Sequence, residues 1–306
     1  MTNPLIHSAA SPFSLTDEGA YARWRERKLD NYPVKTDDLI VEVRDPRALT
    51  SSEQEAIVNL CRKTNMAIYA SQCGNDPDKD IPRLVGQQLG LSRLDCNLLA
   101  EEDGITKLAV SESGERQTYI PYTNRPIKWH TDGYYNPSRR QIRGMLLHCV
   151  SSAPQGGENA LMDHEIAYLL LRDISPDFVQ AFMQPDAMTI PARMDDNNVA
   201  RAAETGPVFS IHPETGDLHM RYTARTRSIV WKQDAITLEA VACIEQLLAQ
   251  DSPYIFRAKL ESGMGLICNN VLHDRTGFND DLEHPRVLYR ARYYDRIAAT
   301  FLSSIA

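Results

Sequence analysis

From about residue 105 the chain is cut into short β-like runs at close intervals, and that texture restricts the fold more than any other feature. Runs at 107–110, 117–122, 144–150 and 160–162 are followed by two helical patterns, 164–171 and 176–182. Strands resume at 208–211 and 219–222, separated by the turn Glu214-Thr-Gly-Asp. An amphipathic helix at 235–249 precedes the last runs, 254–260, 265–268 and 287–294. Many short strands with helical insertions specify a mainly β core of α+β class, a double-stranded β-helix or cupin-like jelly roll, instead of alternating βαβ units. The first hundred residues read as mixed α and β. They offer a helix over 17–29, a strand over 38–44, a helix opened by a Ser52-x-x-Glu55 capping box, a buried strand at 66–70 and a helix at 81–89. No linker composition interrupts the chain, so 1–306 reads as a single domain, with 1–104 packed on the barrel and the core at 105–296.

Charge narrows the partners. The net charge of −8 is spread without long runs of either sign, which argues against nucleic acid or an anionic membrane, since each needs a basic face. A small molecule is the expected partner, and the oligomeric state is left open. The amino-terminal residues lack a basic start followed by an apolar run, and no stretch is long enough to span a bilayer, so the expected address is the cytoplasm. Six scattered cysteines without a Cys-x-x-Cys pair fit reduced, mostly buried thiols.

The segment Trp129-His130-Thr131-Asp132-Gly133 carries the chemistry. In an extended chain, residues i and i+2 point the same way, so His130 and Asp132 can meet one metal from one face. His273 comes late in the chain, in Asn270-Val-Leu-His-Asp-Arg-Thr-Gly-Phe. Two imidazoles and a carboxylate on one side of an octahedron leave three positions open, which suits an Fe(II) that must hold a chelating co-substrate and O2 together. With eight histidines in the chain, about one His-x-Asp/Glu arises by chance. A second one does occur, His212-Pro-Glu214, inside a hairpin turn, and reads as solvated loop chemistry. Among the other candidates, His148 sits in an apolar run and reads as a core histidine, and His164 reads as a capping or surface group. Tyr134 and Tyr135 are either entrance or ordinary loop aromatics.

The ending adds a second constraint. In Pro285-Arg-Val-Leu-Tyr-Arg-Ala-Arg-Tyr, Arg286, Leu288, Arg290 and Arg292 alternate with Val287, Tyr289, Ala291 and Tyr293. If the arginine face is the inner one, its guanidinium groups need anionic partners, because unpaired buried charge is costly. A dicarboxylate co-substrate supplies one through a bidentate pair. If it is the outer one, the arginines make surface ion pairs.

Three blocks together resemble the taurine dioxygenase and γ-butyrobetaine hydroxylase superfamily. They are Tyr122-Thr-Asn-Arg-Pro-Ile-Lys-Trp-His-Thr-Asp-Gly-Tyr-Tyr-Asn-Pro, Met145-Leu-Leu-His-Cys-Val and Gly156-Gly-Glu-Asn-Ala-Leu-Met-Asp. The ending from Asn270 to Asp295 is similar as well, and the likeness covers roughly residues 105 to 296. It implies a double-stranded β-helix, Fe(II) on His130, Asp132 and His273, and 2-oxoglutarate with its far carboxylate on Arg286. It implies no catalytic residue beyond the metal centre, and O2 as co-substrate. Where the family has a Ser or Thr hydroxyl near that carboxylate, this chain has Asn159, whose amide can donate the same bond. Related halogenases lack the carboxylate at the Asp132 position, so its presence implies hydroxylation, alone or followed by fragmentation or desaturation. Tyr122 matches one position of the aromatic cage that γ-butyrobetaine enzymes use for a cation, but Ile105, Ala109 and Arg292 fall near the others. The resemblance to taurine-type enzymes puts Arg290 opposite an anionic substrate, and with Arg292 it implies a carboxylate or sulfonate there. Internal acids such as Asp163 or Glu158 are the alternative partners. Two other functions stay open on the residues alone: a cupin-like Zn or Mn hydrolase or isomerase, which has no need of Arg286, and a non-catalytic barrel, which has no need of an intact ligand set.

Overall fold

The chain is described by a computed structural model covering residues 11–96, 103–111, 114, 117, 119–195, 198–226, 229–280, 283 and 285–302. The arginine strand, Val287–Tyr293, lies inside a sheet, paired antiparallel with Gly144–Ser151 on one side and Thr106–Leu108 on the other. Its alternation sorts it between two cores. Leu288 joins the core between the sheets, while Tyr289, Ala291 and Tyr293 join a second core on the outer face. Arg290 and Arg292 share the face of Leu288, so the arginine face is the inner one.

Two sheets build the barrel. The larger orders Ile40–Val43, Met66–Ser71, Met264–Cys268, Gly144–Ser151, Val287–Tyr293 and Thr106–Leu108; its first pair is parallel and the rest antiparallel. The smaller orders Phe256–Ala258, Asn159–Met162, Leu272–Arg275 and Ile127–His130, all antiparallel. From Ile127–His130 onward the chain alternates between sheets. It passes to Gly144–Ser151, back to Asn159–Met162, and later through Met264–Cys268 and Leu272–Arg275 to Val287–Tyr293. That alternation is the winding of a jelly roll. Leu147, Cys149, Leu266 and Leu288 of the larger sheet share the main core with Leu161 and Phe256 of the smaller one.

Helices seal the outside. α1 (Glu18–Leu29), α2 (Ser51–Thr64) and α3 (Ile81–Gln88) come from the first third. α4 (His164–Ile174), α5 (Pro176–Phe182) and α6 (Ala235–Ala249) follow. α2 and α3 contribute Ile57, Cys61, Ile81 and Val85 to the outer core with Tyr69, Leu146 and Tyr293. Gly265 lies opposite both Tyr69 and His148, and a Cβ there would come within 2.3 Å of the Tyr69 ring. Its bareness lets the Tyr69 hydroxyl reach the His148 Nδ1 at 2.8 Å, so His148 is a fully buried, hydrogen-bonded core histidine. No helix among the described residues is long and apolar enough to cross a membrane.

Several expectations are corrected. The capping box of α2 is Thr50 with Glu53, two residues upstream of the one expected. The 117–122 run is not a strand where it is described, because Ile120–Tyr122 forms a 3-10 turn around Pro121. His164 is neither a cap nor a surface group. Asp163 caps α4 while His164 is buried with its Nε2 3.2 Å from the Leu218 carbonyl. Of the six free cysteines, Cys61, Cys149 and Cys268 are buried and Cys96 is exposed.

Candidate metal centre and its arginines

The strand Ile127–His130 runs antiparallel to Leu272–Arg275 with His130 directly opposite His273, so the two rings come to 4.2 Å between centroids. Beyond His130 the chain stays extended for two residues, tied down by Thr131, whose N–H donates to the Tyr222 carbonyl at 3.0 Å. Asp132 therefore returns to the same side, with Oδ1 3.9 Å from the His130 Nε2. Gly133 (φ 67°) then turns the backbone away where a Cβ would strike Ile142 at 2.4 Å. One ligand atom from each of His130, Asp132 and His273 lies within 4.8 Å of the others.

Both imidazoles are oriented by their own strands. His130 Nδ1 donates to the Lys128 carbonyl at 2.9 Å, and His273 Nδ1 donates to the Val271 carbonyl at 3.0 Å. Each bond fixes the tautomer and leaves Nε2 as a bare acceptor. Asn270, in the left-handed region at φ 55°, brackets Asp132: its Oδ1 accepts the Asp132 N–H at 2.8 Å and its Nδ2 donates to the Asp132 carbonyl at 2.9 Å. Burial and the neighbouring His273 push the His130 imidazole down to about 3. Burial opposes ionisation of Asp132, but Arg290, Arg292 and the imidazoles hold its carboxyl well below the usual range. Asp132 Oδ2 is buried with no hydrogen-bond partner among the described residues. Two imidazoles presenting Nε2, an ionised carboxylate and an orphaned oxygen on one side fit a divalent cation such as Fe(II).

The arginines divide into three groups. Arg290 donates to Asp132 Oδ1 at 3.2 Å. Arg292 pairs with Asp95 and donates to the Tyr135 hydroxyl at 2.9 Å. The internal acids are thus Asp132 and Asp95, not Asp163 or Glu158; Asp163 instead pairs with the buried Lys28 at 2.6 Å. Arg286 lies with its guanidinium 4.9 Å from the Phe278 ring centre and is 6% exposed. No carboxylate among the described residues forms an ion pair with it. Gly157 (φ 77°) faces it, and a Cβ there would sit 3.2 Å from the Arg286 Nε. Asn159, next in that strand but one, donates from Nδ2 to the Asp274 carbonyl at 2.6 Å, which occupies part of its amide. Arg275 was not singled out in the sequence. It lies two residues past His273, 4.8 Å from the same Phe278 ring. The available signal was its alternation with His273.

A rim of aromatic and basic side chains stands beside His130. The Tyr134 ring stands edge-on to His130 at 6.4 Å, and Tyr135 lies 5.2 Å from Tyr134. Arg225 hydrogen bonds the Tyr134 side chain, and Arg201 lies 5.8 Å from the Tyr135 ring centre. Neither arginine pairs with a carboxylate among the described residues. Arg221 holds this rim together, donating to the carbonyls of Tyr134, Met188 and Glu204 at 2.7, 3.3 and 2.7 Å. Tyr119 takes a hydrogen bond from Arg193, whose guanidinium lies 4.5 Å from its ring centre. Tyr122 is buried in the main core at 2% exposure, beside the rim in sequence. His212 accepts from Thr215 within its hairpin, with Glu214 exposed.

Comparisons with known proteins agree with this architecture. Residues 40–292 match the family described as taurine catabolism dioxygenase TauD, TfdA family. A curated uridine-5'-phosphate dioxygenase from a Streptomyces species is 29% identical over 205 residues, covering 63% of this chain and 71% of that protein. Among solved structures, the oxygenase OrfP in complex with Fe, succinate and dihydroxy-L-Arg superposes with a TM-score of 0.61 at 14% identity, covering 80% and 81% of the two chains. An asparagine oxygenase in complex with Fe(II), hydroxyasparagine and succinate gives 0.55 at 14% identity over 81% and 85%. AAD-2 in complex with Mn(II) and N-oxalylglycine gives 0.59 at 14% identity over 85% and 96%. With a match that begins in the first strand of the larger sheet and ends at Arg292, the chain belongs to the TauD, TfdA family and is a non-haem iron, 2-oxoglutarate-dependent dioxygenase.

Proposed function

We propose that His130, Asp132 and His273 hold the iron, that Arg286 takes the far carboxylate of 2-oxoglutarate with Asn159 beside it, and that the substrate is a small phosphate-bearing anion. The buried, unpartnered Oδ2 of Asp132 beside two bare Nε2 atoms carries the first assignment. The iron supplies the activation of O2 and the oxidation of an unactivated C–H bond. The chain's own residues hold and orient. His130 and His273 present Nε2 to the metal because their Nδ1 protons are committed to carbonyls. Arg286, without an ion-paired carboxylate among the described residues, gains a bidentate partner when the dicarboxylate arrives.

For the substrate, the support is that Arg225 and Arg201 pair with no carboxylate among the described residues. Arg225 and Arg201 converge on Tyr134 and Tyr135, one ring from His130, and Arg290 adds a third cation shared with Asp132. One guanidinium suffices for a carboxylate, whereas a phosphate dianion satisfies two or more. The likeness to a uridine-5'-phosphate dioxygenase supports the same class. Arg292, committed to Asp95 and Tyr135, shapes the rim, and Tyr122 backs it from the core.

The test starts with anaerobic Fe(II) and 2-oxoglutarate, following the visible charge-transfer absorption of the chelate. The band is expected in the wild type, absent in His130→Ala and weakened in Arg286→Ala. Folded, iron-loaded protein without a band would remove the co-substrate assignment. Succinate release is then screened with phosphomonoesters, sulfonates and carboxylates. Phosphomonoesters are expected to stimulate it, with Arg225→Gln raising their KM about tenfold or more. Stimulation by sulfonates or carboxylates alone would remove the phosphate assignment and leave the iron site standing.

A further inference from the structure

Arg286 and Arg275 lean on one phenylalanine ring, that of Phe278, at 4.9 and 4.8 Å. Both side chains are nearly enclosed, at 6% and 5% exposure, and neither has an ion-paired carboxylate among the described residues. Arg275 commits one terminal nitrogen to the carbonyls of Thr123 and Arg125, at 2.7 and 2.6 Å. Its Nε is buried with no hydrogen-bond partner among the described residues. Two neighbouring buried cations with no ion-paired carboxylate among the described residues repel each other and are costly to desolvate. An anion that reaches both removes both costs at once. Arg275 lies two residues from His273 in one strand, so its side chain leaves on the face that carries the metal-centre histidine.

The loop that Arg275 grips is also the approach to the metal centre. Residues 123–125 lead into the His130 strand, and the Phe278 N–H donates to the Asn124 carbonyl at 3.1 Å. Three successive carbonyls, of Thr123, Asn124 and Arg125, are therefore held by Arg275 and Phe278. Just upstream, the turn Ile120–Tyr122 follows Tyr119, which meets Arg193 of the rim.

We infer that Arg275 is a positioning residue for 2-oxoglutarate: it shares the charge of the far carboxylate with Arg286 and links its arrival to the 119–125 loop. The inference rests on the assignment of Arg286 proposed above. Co-substrate binding then relieves the repulsion between the two guanidinium groups while Arg275 keeps its carbonyl bonds, so the loop tightens before substrate meets the rim.

The full chain loaded with Mn(II) is titrated with N-oxalylglycine by calorimetry, in the wild type, Arg275→Gln, Arg275→Lys and Arg286→Gln. Arg275→Gln is expected to weaken binding about tenfold, with Arg275→Lys, which keeps the charge, recovering most of the loss. In turnover the KM for 2-oxoglutarate rises while kcat changes little. Wild-type affinity in Arg275→Gln, alongside weakened Arg286→Gln, would reduce Arg275 to a loop staple and overturn the inference. Unchanged affinity in Arg286→Gln would instead overturn the assignment on which it rests. Should Arg275→Gln not fold, hydrogen exchange on the wild type decides. N-oxalylglycine is expected to protect residues 119–128, and oxalate, which chelates metal but has no far carboxylate, is expected not to. Equal protection by both overturns the inference.

Discussion

Asn270 holds the Asp132 backbone from 138 residues away in sequence. Its amide clamps the Asp132 peptide on both sides and also donates to the Ile142 carbonyl at 2.7 Å, where the chain turns after Gly133. Its own backbone sits at φ 55°, a conformation that asparagine tolerates and alanine resists. Two variants separate these roles. Asn270→Gly keeps the backbone free and removes the clamp, so iron affinity should fall about 10- to 100-fold, as for other supports of metal ligands. Asn270→Ala should lose the same affinity and melt lower still, since a Cβ in that region costs roughly 1–2 kcal/mol. Metal titration and thermal unfolding of both variants check this. An Asn270→Gly protein that binds iron normally would confine the residue to folding. At this scale His130, Asp132 and His273 could be picked out because i, i+2 alternation and ligand chemistry are both written in the chain. Asn270 and Arg275 could not, because what defines them is which backbone carbonyls and amides they meet across the barrel.

Helix α2 begins where two overlapping signals compete, Thr50-x-x-Glu53 and Ser52-x-x-Glu55. The upstream pair wins because Glu53 does more than cap. Its carboxylate accepts the Thr50 N–H at 2.6 Å and also the Arg44 N–H at 2.7 Å, fastening the helix to the end of the strand Ile40–Val43. Thr50 in turn accepts the Glu53 N–H at 3.3 Å. Thr50→Ala should therefore cost about 1 kcal/mol, while Ser52→Ala stays within about 0.5 kcal/mol. Denaturant unfolding of the two variants distinguishes them, and the reverse order would move the helix start downstream. Elements with one dominant signal were legible: α6 spans 235–249 as its periodicity predicts, capped by Asp234. The 117–122 run misled because Tyr119, Ile120 and Tyr122 have strand-like composition. Pro121 lacks the N–H that a ladder needs and fits the first turn of a 3-10 helix instead.

Over the whole molecule, net charge hides the arrangement that matters. A chain of −8 buries Arg275 and Arg286 against Phe278, Arg290 against Asp132 and Arg292 against Asp95, and only the strand alternation hinted at it. The same enclosure controls response to acid. His148 is fully buried and His164 nearly so; burial pushes the first down to about 4 and lowers the second. Unfolded, both imidazoles titrate near ~6.5, so the unfolded chain takes up more protons as pH falls. Their contribution is complete above about pH 6.5 and is lost as pH drops, for His148 at roughly 1.4 kcal/mol per pH unit towards its folded value. Carboxylates add to this loss only further down. Glu165 is held near 2 against its burial by Lys28 and Arg296, and its contribution falls away below its unfolded value of about 4.3. Between these windows the histidines dominate. The metal-free protein should thus lose stability steeply from about pH 6.5 to about pH 4.5, and the margin of wild type over His148→Gln should shrink by about 2 kcal/mol between about pH 7 and about pH 5. Urea midpoints at several pH values measure that margin. A margin that stays constant would mean that His148 is protonated inside the fold, and that the Tyr69 contact accepts an imidazolium where burial should forbid one.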